Sequence, residues 1–287
     1  KILNVNVINE SLGGYSIEEK TYTEWTDTVS VMHAGGAVRK DLQVYFYTNS
    51  QEALFQNYSL GARVFEFDLY PTADDNLAVV HDWEEFGSFD GTAYTTEEWL
   101  NSKTGGMNDD NLQFTTMDIG ILLDNMVVNP DIFVVTDTKS FALTEDEVIR
   151  EFEIIRDEAM KRDSELLNRI IPQIYDFDMY DVVKDVYDFP NMIFTCYIST
   201  AEGDDIVDFC ASHGEFKAIT APYGDTRFDT DTVAKLKDDG LKLFYHTIYD
   251  YNTLVGSYML GADGVYSGIF TPRDIKEIMN FSSTAEE

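Results

Sequence analysis

Short runs of β-branched and aromatic residues recur along the whole chain, separated by longer stretches with helical periodicity. Several of the runs are almost continuously apolar, which is typical of strands covered on both faces. The predicted strands are 28–33, 62–69, 131–139, 170–175, 191–199, 216–223, 241–249 and 263–270. The clearest helical stretches between them are 50–61, 144–162, 229–240 and 252–261, and three of these end on glycine, a common helix stop.

This strand–helix alternation favours parallel βαβ units and predicts an α/β protein with a (β/α)8 barrel, the TIM-barrel architecture. A doubly wound open sheet is the main alternative. Because no Pro- or Ser-rich linker divides the chain, we predict one barrel domain at 28–287, with 1–27 as an N-terminal extension that packs on it. The apolar run 76–82 follows the second strand across a short polar turn, so we predict a β-hairpin inserted there.

Charged side chains stand at the ends of three strands, where a core is expected. Since alternate residues of a strand share a face, Glu66 and Asp68 point to the same side, away from the aromatic residues between them. Asp137 and Lys139 end another strand in the same way, and His33 ends the first. Barrels of this kind build their active sites at the C-terminal ends of the strands. We therefore predict that these side chains meet at the barrel mouth.

Three carboxylates in a low-dielectric mouth repel one another unless a positive charge neutralises them. The pattern therefore predicts one divalent cation bound by Glu66, Asp68 and Asp137. Oxygen ligands favour Mg²⁺ or Ca²⁺, and the lack of cysteine or paired-histidine spacing argues against zinc. The alternative is a set of structural ion pairs in which Lys139 neutralises Asp137.

The chain has four histidines. His33 and His81 both end strands near the acidic cluster, and because imidazole titrates near neutral pH we predict that they act as general acid and general base. His213 lies in a polar segment and is expected to be solvated. His246 lies in the seventh strand and is either a core residue or a pocket residue.

The net charge of −33 is unfavourable for binding nucleic acid or anionic lipid. No apolar run is long enough to span a bilayer, so we expect neither a nucleic acid partner nor stable membrane insertion. Cys196 and Cys210 provide no disulfide framework and are expected to be buried thiols; whether they pair is left open. Because residues 1–11 lack the blocks of a signal peptide, we expect any targeting segment to lie outside this sequence, with an extracytoplasmic or cell-surface location.

Several segments together resemble the glycerophosphodiester phosphodiesterase family. They are HAGG at 33–36, TNSQEALFQNYSLGARVFEFDLYPTADDNLAVVHD at 48–82, DTK at 137–139 and GADGVYSGIFTP at 261–272, in the family's order. The wider superfamily includes phosphatidylinositol-specific phospholipase C and the venom-type phospholipase D. The resemblance implies the same barrel fold, with Glu66 and Asp68 as metal ligands and Lys139 at the phosphate. Asp137 stands where the family commonly has Glu.

The sequence departs from the family at three positions of the pocket. Ala34 stands where the family has an arginine that binds the phosphodiester, so Arg39 and Lys40, on a longer loop than usual, are candidates to supply its charge. The family's Asn-Thr pair is reversed, which leaves Asn49 as a candidate substrate-binding residue. His246 falls near a pocket tryptophan of the family and implies a different substrate wall.

These observations predict a metal-dependent phosphodiesterase that hydrolyses glycerophosphodiesters, or related lipid headgroup diesters, to an alcohol and a phosphomonoester. Its partner is then a small-molecule diester. Two alternatives remain: a phospholipase C- or D-like enzyme that acts on intact lipid, and a catalytically weakened barrel that binds phosphorylated ligands, which the missing arginine suggests. The oligomeric state is left open.

Overall fold

The computed structural model describes residues 24–84, 91–107, 109–139 and 143–284. Within these ranges the strands are β1 Ser30–Met32, β2 Val38–Lys40, β3 Gln43–Tyr45, β4 Val64–Pro71, β5 Leu77–Val79, β6 Lys103–Gly106, β7 Asp109–Thr115, β8 Phe133–Asp137, β9 Ile170–Ile174, β10 Met192–Thr195, β11 Phe216–Pro222, β12 Lys242–His246 and β13 Gly264–Ser267. The helices are α1 Gln51–Ser59, α2 Thr96–Asn101, α3 Ile119–Val128, α4 Glu145–Arg162, α5 Phe177–Val186, α6 Gly203–Ser212, α7 Thr230–Asp238, α8 Tyr251–Met259 and α9 Pro272–Thr284.

Eight parallel strands form a closed barrel. Strands β8 to β13 pair in chain order, β13 pairs with β1, and β4 pairs with β8. The ring closes through β1 and β4, where Met32 lies opposite Phe65. This closure confirms the (β/α)8 prediction and excludes the open doubly wound sheet. Each barrel strand coincides with one of the eight predicted runs, except that β4 extends two residues beyond its run, to Pro71.

Local sequence signals fix the helix starts. Thr144 accepts a hydrogen bond from the Glu147 N–H while the Glu147 side chain returns to the Thr144 N–H, a capping box that begins α4. Ser50 caps α1 through the Ala53 N–H. Past the end of α1, Gly61 has φ 94°, a left-handed conformation that glycine adopts at little cost. A helix overlaps each of the four predicted helical stretches, although α8 begins one residue before its stretch, at Tyr251.

The alternation along β4 separates two cores. Val64 packs inside the barrel with residues such as Val135 and Phe244, whereas Phe65 and Phe67 belong to the larger cluster between barrel and helices. At the N-terminal end of the barrel, Trp25 is buried and stacks on Phe244 with ring centroids 6.1 Å apart. Residues 1–23 lie outside the described residues, so the packing of the 1–27 extension stays a prediction.

The hairpin after the second barrel strand is confirmed, since β5 runs antiparallel to β4 with Leu69 opposite Val79. Two further hairpins, β2–β3 and β6–β7, were not predicted. The first corrects one expectation: Arg39 and Lys40 lie on strand β2 rather than on an irregular loop.

Both cysteines, Cys196 and Cys210, are buried and free, as expected for thiols of the core. Of the helices in the described ranges, none combines the length and apolarity needed to cross a membrane.

Candidate active site

A cavity of about 250 Å³ opens at the C-terminal ends of the barrel strands. Its walls include six of the eight predicted site residues, namely His33, Glu66, His81, Asp137, Lys139 and His246. The other two, Asp68 and Asn49, are buried at the same end of β4 and next to it. The barrel thus brings together residues that are up to 213 positions apart in the chain (33 to 246).

Three buried carboxylates form the acidic centre of this site. Glu66, Asp68 and Asp137 each offer an oxygen, and these oxygens lie within 4.8 Å of one another. The register of the sheet explains the convergence, because Asp68 lies directly opposite Asp137 in the parallel pair of β4 and β8. The predicted clustering at the barrel mouth is therefore observed.

Lys139 pairs with two of these carboxylates. Its ammonium lies 2.5 Å from Asp68 Oδ1 and also contacts Asp137, so the ion pair expected in the structural alternative is present. One ammonium can balance the charge of only one of the three carboxylates when all are ionised. Glu66 Oε1 is buried and has no hydrogen-bond partner among the residues that the structure describes.

Burial and mutual repulsion determine the protonation of the cluster. Burial, together with Asp68 and Asp137, raises the pKa of Glu66 well above its ordinary value. Burial also raises the pKa of Asp137. Burial alone would raise the pKa of Asp68 as well, but the Lys139 ammonium outweighs it, and the pKa of Asp68 falls below its usual range. Ionisation of all three carboxylates therefore needs more positive charge than Lys139 supplies.

Neutral groups orient each carboxylate. Asn49 Nδ2 donates to Asp68 Oδ2 at 2.7 Å, and Asn49 Oδ1 accepts from the Asp68 N–H at 3.2 Å. The Ala34 N–H donates to Glu66 Oε2 at 2.7 Å, and the Tyr175 hydroxyl donates to Asp137. Ala34 and Asn49 have φ of 49° and 46°, in the left-handed region that side-chain-bearing residues seldom occupy. Strained backbone of this kind concentrates at functional sites.

The two predicted acid–base histidines both line the cavity. His33 Nε2 lies 3.8 Å from Glu66 Oε2, and His33 Nδ1 lies 3.2 Å from the Tyr249 hydroxyl. Burial lowers the pKa of His33 to about 3. His81 Nδ1 lies 2.5 Å from Asp82 Oδ2. The imidazole of His81 is thus paired with a carboxylate, whereas the imidazole of His33 has a phenol at the equivalent nitrogen.

The acidic cluster fits a hard divalent cation. Its donors are carboxylate oxygens, which Mg²⁺ and Ca²⁺ prefer. A bound cation would give the buried Glu66 Oε1 a partner and would favour the ionised form of Glu66. Glu66, Asp68 and Asp137 could therefore hold a metal ion.

The structure places the candidate replacements for the family arginine elsewhere. Arg39 donates to the Ile269 carbonyl at 2.9 Å, and Lys40 donates to Gln113 at 2.6 Å. Neither is among the residues that line the cavity. Ala34 itself is fully buried. Within the described lining, Lys139 is the one lysine or arginine.

His246 is a pocket residue rather than a core residue, which settles that open choice. His213 lies away from the cavity and is only partly exposed, with its ring centroid 4.4 Å from that of Phe209. Sequence reasoning missed the phenols around His33 and the Tyr175 contact to Asp137. The alternation that places Ile171 and Gln173 on the inner face also places Tyr175 there, so this signal was available.

Comparison with known proteins gives the same architecture. No family model matches the chain, and no curated protein does. Several solved structures, in contrast, match the chain. A glycerophosphodiester phosphodiesterase from Parabacteroides distasonis superposes with a TM-score of 0.68 at 15% identity, covering 89% of this chain and 99% of that one. The chain has the fold of the glycerophosphodiester phosphodiesterases.

Two further structures agree. The glycerophosphodiester phosphodiesterase of Thermotoga maritima gives a TM-score of 0.60 at 14% identity, over 88% of this chain and 98% of that one. An Oleispira antarctica phosphodiesterase, solved in complex with the product sn-glycerol-3-phosphate, gives 0.64 at 14% identity, over 88% of this chain and 96% of that one. The fold expected from the resemblance is thus confirmed.

Proposed function

We propose that the protein is a metal-dependent phosphodiesterase that hydrolyses glycerophosphodiesters, or related lipid headgroup diesters, to an alcohol and a phosphomonoester. The observation that carries the proposal is the composition of one cavity. Three carboxylates within 4.8 Å, a lysine and two histidines converge at the C-terminal end of the barrel. The common fold with phosphodiesterases, one of them solved with sn-glycerol-3-phosphate, supports the same class of substrate.

Glu66, Asp68 and Asp137 would hold Mg²⁺ or Ca²⁺, which polarises a phosphoryl oxygen and offsets negative charge in the transition state. Asn49 and the Ala34 N–H keep the Asp68 and Glu66 oxygens in place. The Lys139 ammonium binds the phosphate from the same side of the cavity. The site residues thereby hold the diester with its phosphorus near both imidazoles.

The two histidines divide the proton transfers. His81 Nδ1 is hydrogen-bonded to the Asp82 carboxylate, so we assign His81 the role of general acid that protonates the leaving alkoxide. His33 is then the general base. It accepts the proton of the nucleophile, which is either water or the substrate's own adjacent hydroxyl.

Two substrates with different leaving groups test the roles assigned to the two histidines. His81→Ala should lower the hydrolysis of a glycerophosphodiester by roughly 10²–10⁴-fold, the usual range for a general acid. It should affect bis(4-nitrophenyl) phosphate much less, because nitrophenolate leaves without protonation. His33→Ala should slow both substrates by a similar factor.

His213→Ala is the matched control, since His213 lies away from the cavity; it should leave both rates within about twofold. If His33→Ala instead shows the selective pattern, the two roles are exchanged. Losses of only a few-fold in both variants on both substrates would show that neither histidine transfers a proton. Metal binding without turnover of any diester would favour a phosphate-binding barrel.

A further inference from the structure

The two sides of the barrel mouth carry different kinds of side chain, charged on one side and neutral on the other. Strands β1, β4 and β8, with the turns that follow β1, β5 and β8, bring the carboxylates, Lys139, His33 and His81 to the cavity. The wall opposite comes from β9 to β13. In the described lining it contains neutral polar side chains, namely Gln173, Thr195, Thr220, His246 and Tyr266.

Three atoms of this neutral wall are buried without a hydrogen-bond partner among the described residues. They are Thr220 Oγ1, His246 Nε2 and the Tyr266 hydroxyl oxygen. Thr220 and Tyr266 are only 1% and 2% exposed. Buried polar atoms are nearly always paired, because an unpaired one loses its bonds to water without replacement. Three such atoms in the lining of one cavity indicate a site for a polar ligand.

The sheet places the three side chains on neighbouring strands, β11, β12 and β13. Tyr245 lies opposite Val265, so the next residues along, His246 and Tyr266, are at the same level. Thr220 lies opposite Phe244, two residues before His246, and is therefore one step deeper in the barrel. All three residues line the cavity, so a small ligand in it can reach them.

His246 is held in a defined orientation. Its Nδ1 lies 3.2 Å from the hydroxyl of Thr247. Thr247 has φ 62°, which is rare for a β-branched residue and indicates a backbone held under strain. Burial lowers the pKa of His246 to about 4, so the ring is neutral at physiological pH. One nitrogen is thus engaged by Thr247, while Nε2 remains for a ligand.

We propose that Thr220, His246 and Tyr266 form a subsite for the hydroxyl groups of a neutral polyol that is esterified to the phosphate and remains on the phosphomonoester product. This inference rests on the proposed function of the same cavity and names its substrate more closely. Hydroxyl groups both donate and accept hydrogen bonds, as threonine and tyrosine do. This wall offers no carboxylate to a cationic headgroup and no ammonium or guanidinium to an anionic one.

Binding of two phosphomonoesters tests the subsite without any need for turnover. sn-Glycerol 3-phosphate and n-propyl phosphate have the same charge and chain length, and they differ by two hydroxyl groups. In calorimetry with saturating Mg²⁺, the wild type should bind glycerol 3-phosphate about tenfold or more tightly than propyl phosphate, as expected when hydroxyls satisfy buried polar atoms.

Thr220→Val and Tyr266→Phe each remove one hydroxyl and keep the shape of the side chain. Each should reduce the preference for glycerol 3-phosphate by about fivefold, while the affinity for propyl phosphate changes little. Tyr245→Phe is the matched control. Tyr245 precedes His246 in β12, but the Tyr245 side chain packs in the larger cluster between barrel and helices. The Tyr245→Phe variant should therefore keep the wild-type preference.

Equal affinities of the wild type for the two ligands would overturn the proposal, since the three buried atoms would then hydrogen-bond to water and not to the ligand hydroxyls. Failure of both ligands to bind would overturn it too. A preference that survives in both subsite variants would place the hydroxyl contacts elsewhere. Hydrolysis of bis(4-nitrophenyl) phosphate, which carries no hydroxyl group, tests the enzymatic function separately. Turnover with equal affinities refutes only the subsite, and a preference without turnover of any diester refutes only the enzyme.

Discussion

Asn49 illustrates how single neutral residues control the acidic cluster. It bonds Asp68 twice, through its amide nitrogen to the side chain and through its amide oxygen to the backbone N–H. It does not line the cavity, and it is 1% exposed. Because it lies behind a candidate ligand, we propose a positioning role for Asn49, where the sequence predicted a substrate contact.

Asn49→Ala should accordingly weaken divalent cation binding by about 10–100-fold, the usual effect of losing an outer-shell partner of a metal ligand. Calorimetry with Mg²⁺ and Ca²⁺ measures it. Asn129→Ala is the matched control, because Asn129 is also buried and its side-chain amide donates to the Asn125 carbonyl on α3 instead of to a residue of the site. Unchanged cation affinity in Asn49→Ala would show that Asp68 needs no support or is not a ligand.

The charged half of the site could be predicted residue by residue, and the neutral half could not. Glu66, Asp68 and Asp137 are conspicuous because carboxylates are rare in apolar strands. Thr220 and Tyr266 carry no such signal, since threonine and tyrosine are common strand residues whatever they face. Only the closed barrel shows that they line a cavity.

At the scale of elements, the sequence predicted the barrel strands and missed two hairpins for identifiable reasons. The barrel strands are apolar runs bounded by helices, a pattern with few alternatives. The β2–β3 hairpin has three-residue strands, and its turn residues are Asp41 and Leu42, with φ of 51° and 66°. That turn geometry favours Asn-Gly or Asp-Gly, so a leucine there gives no turn signal.

Helix α4 carries a buried carboxyl group outside the cavity, and it predicts a pH effect on stability. Glu151 is 1% exposed, and neither of its oxygens has a hydrogen-bond partner in the described part of the chain. Burial, with Asp137 and Glu147, raises its pKa well above 4.5. The folded state thus binds this proton more tightly than the unfolded state. Its contribution to stability is full below about pH 4.5 and is lost as the pH rises through the native pKa.

Glu151→Gln removes this titration. From pH 5 to pH 8 the wild type loses the contribution of Glu151 to its unfolding free energy, and the variant does not. The difference in unfolding free energy, variant minus wild type, should therefore increase by at least about 1 kcal/mol over this range, since one pKa unit corresponds to about 1.4 kcal/mol. Urea denaturation at both pH values, in EDTA, measures the difference. Glu145→Gln, at an exposed position of the same helix, should show little of it. A parallel pH dependence of wild type and Glu151→Gln would mean that Glu151 titrates normally.

At the scale of the whole molecule, the net charge of −33 determines which surfaces the enzyme approaches. Like charges repel over about 8 Å at physiological salt. The protein should therefore not sediment with vesicles containing phosphatidylglycerol at 0.15 M salt, and it should cleave water-soluble diesters faster than anionic lipid in vesicles. Neutral phosphatidylcholine vesicles are the control. Preferential binding and cleavage of the anionic vesicles would contradict this and favour a phospholipase.

We propose that the acidic cluster, with a bound cation, makes this barrel a phosphodiesterase. The most direct measurement follows a glycerophosphodiester by phosphorus NMR, which distinguishes the diester from the phosphomonoester product. The wild type with Mg²⁺ or Ca²⁺ should convert one signal into the other. EDTA should stop the conversion, renewed cation should restore it, and Glu66→Gln should lack it under all these conditions. Conversion that continues undiminished in EDTA or in Glu66→Gln, or no conversion by the wild type with either cation, would contradict a metal-dependent phosphodiesterase.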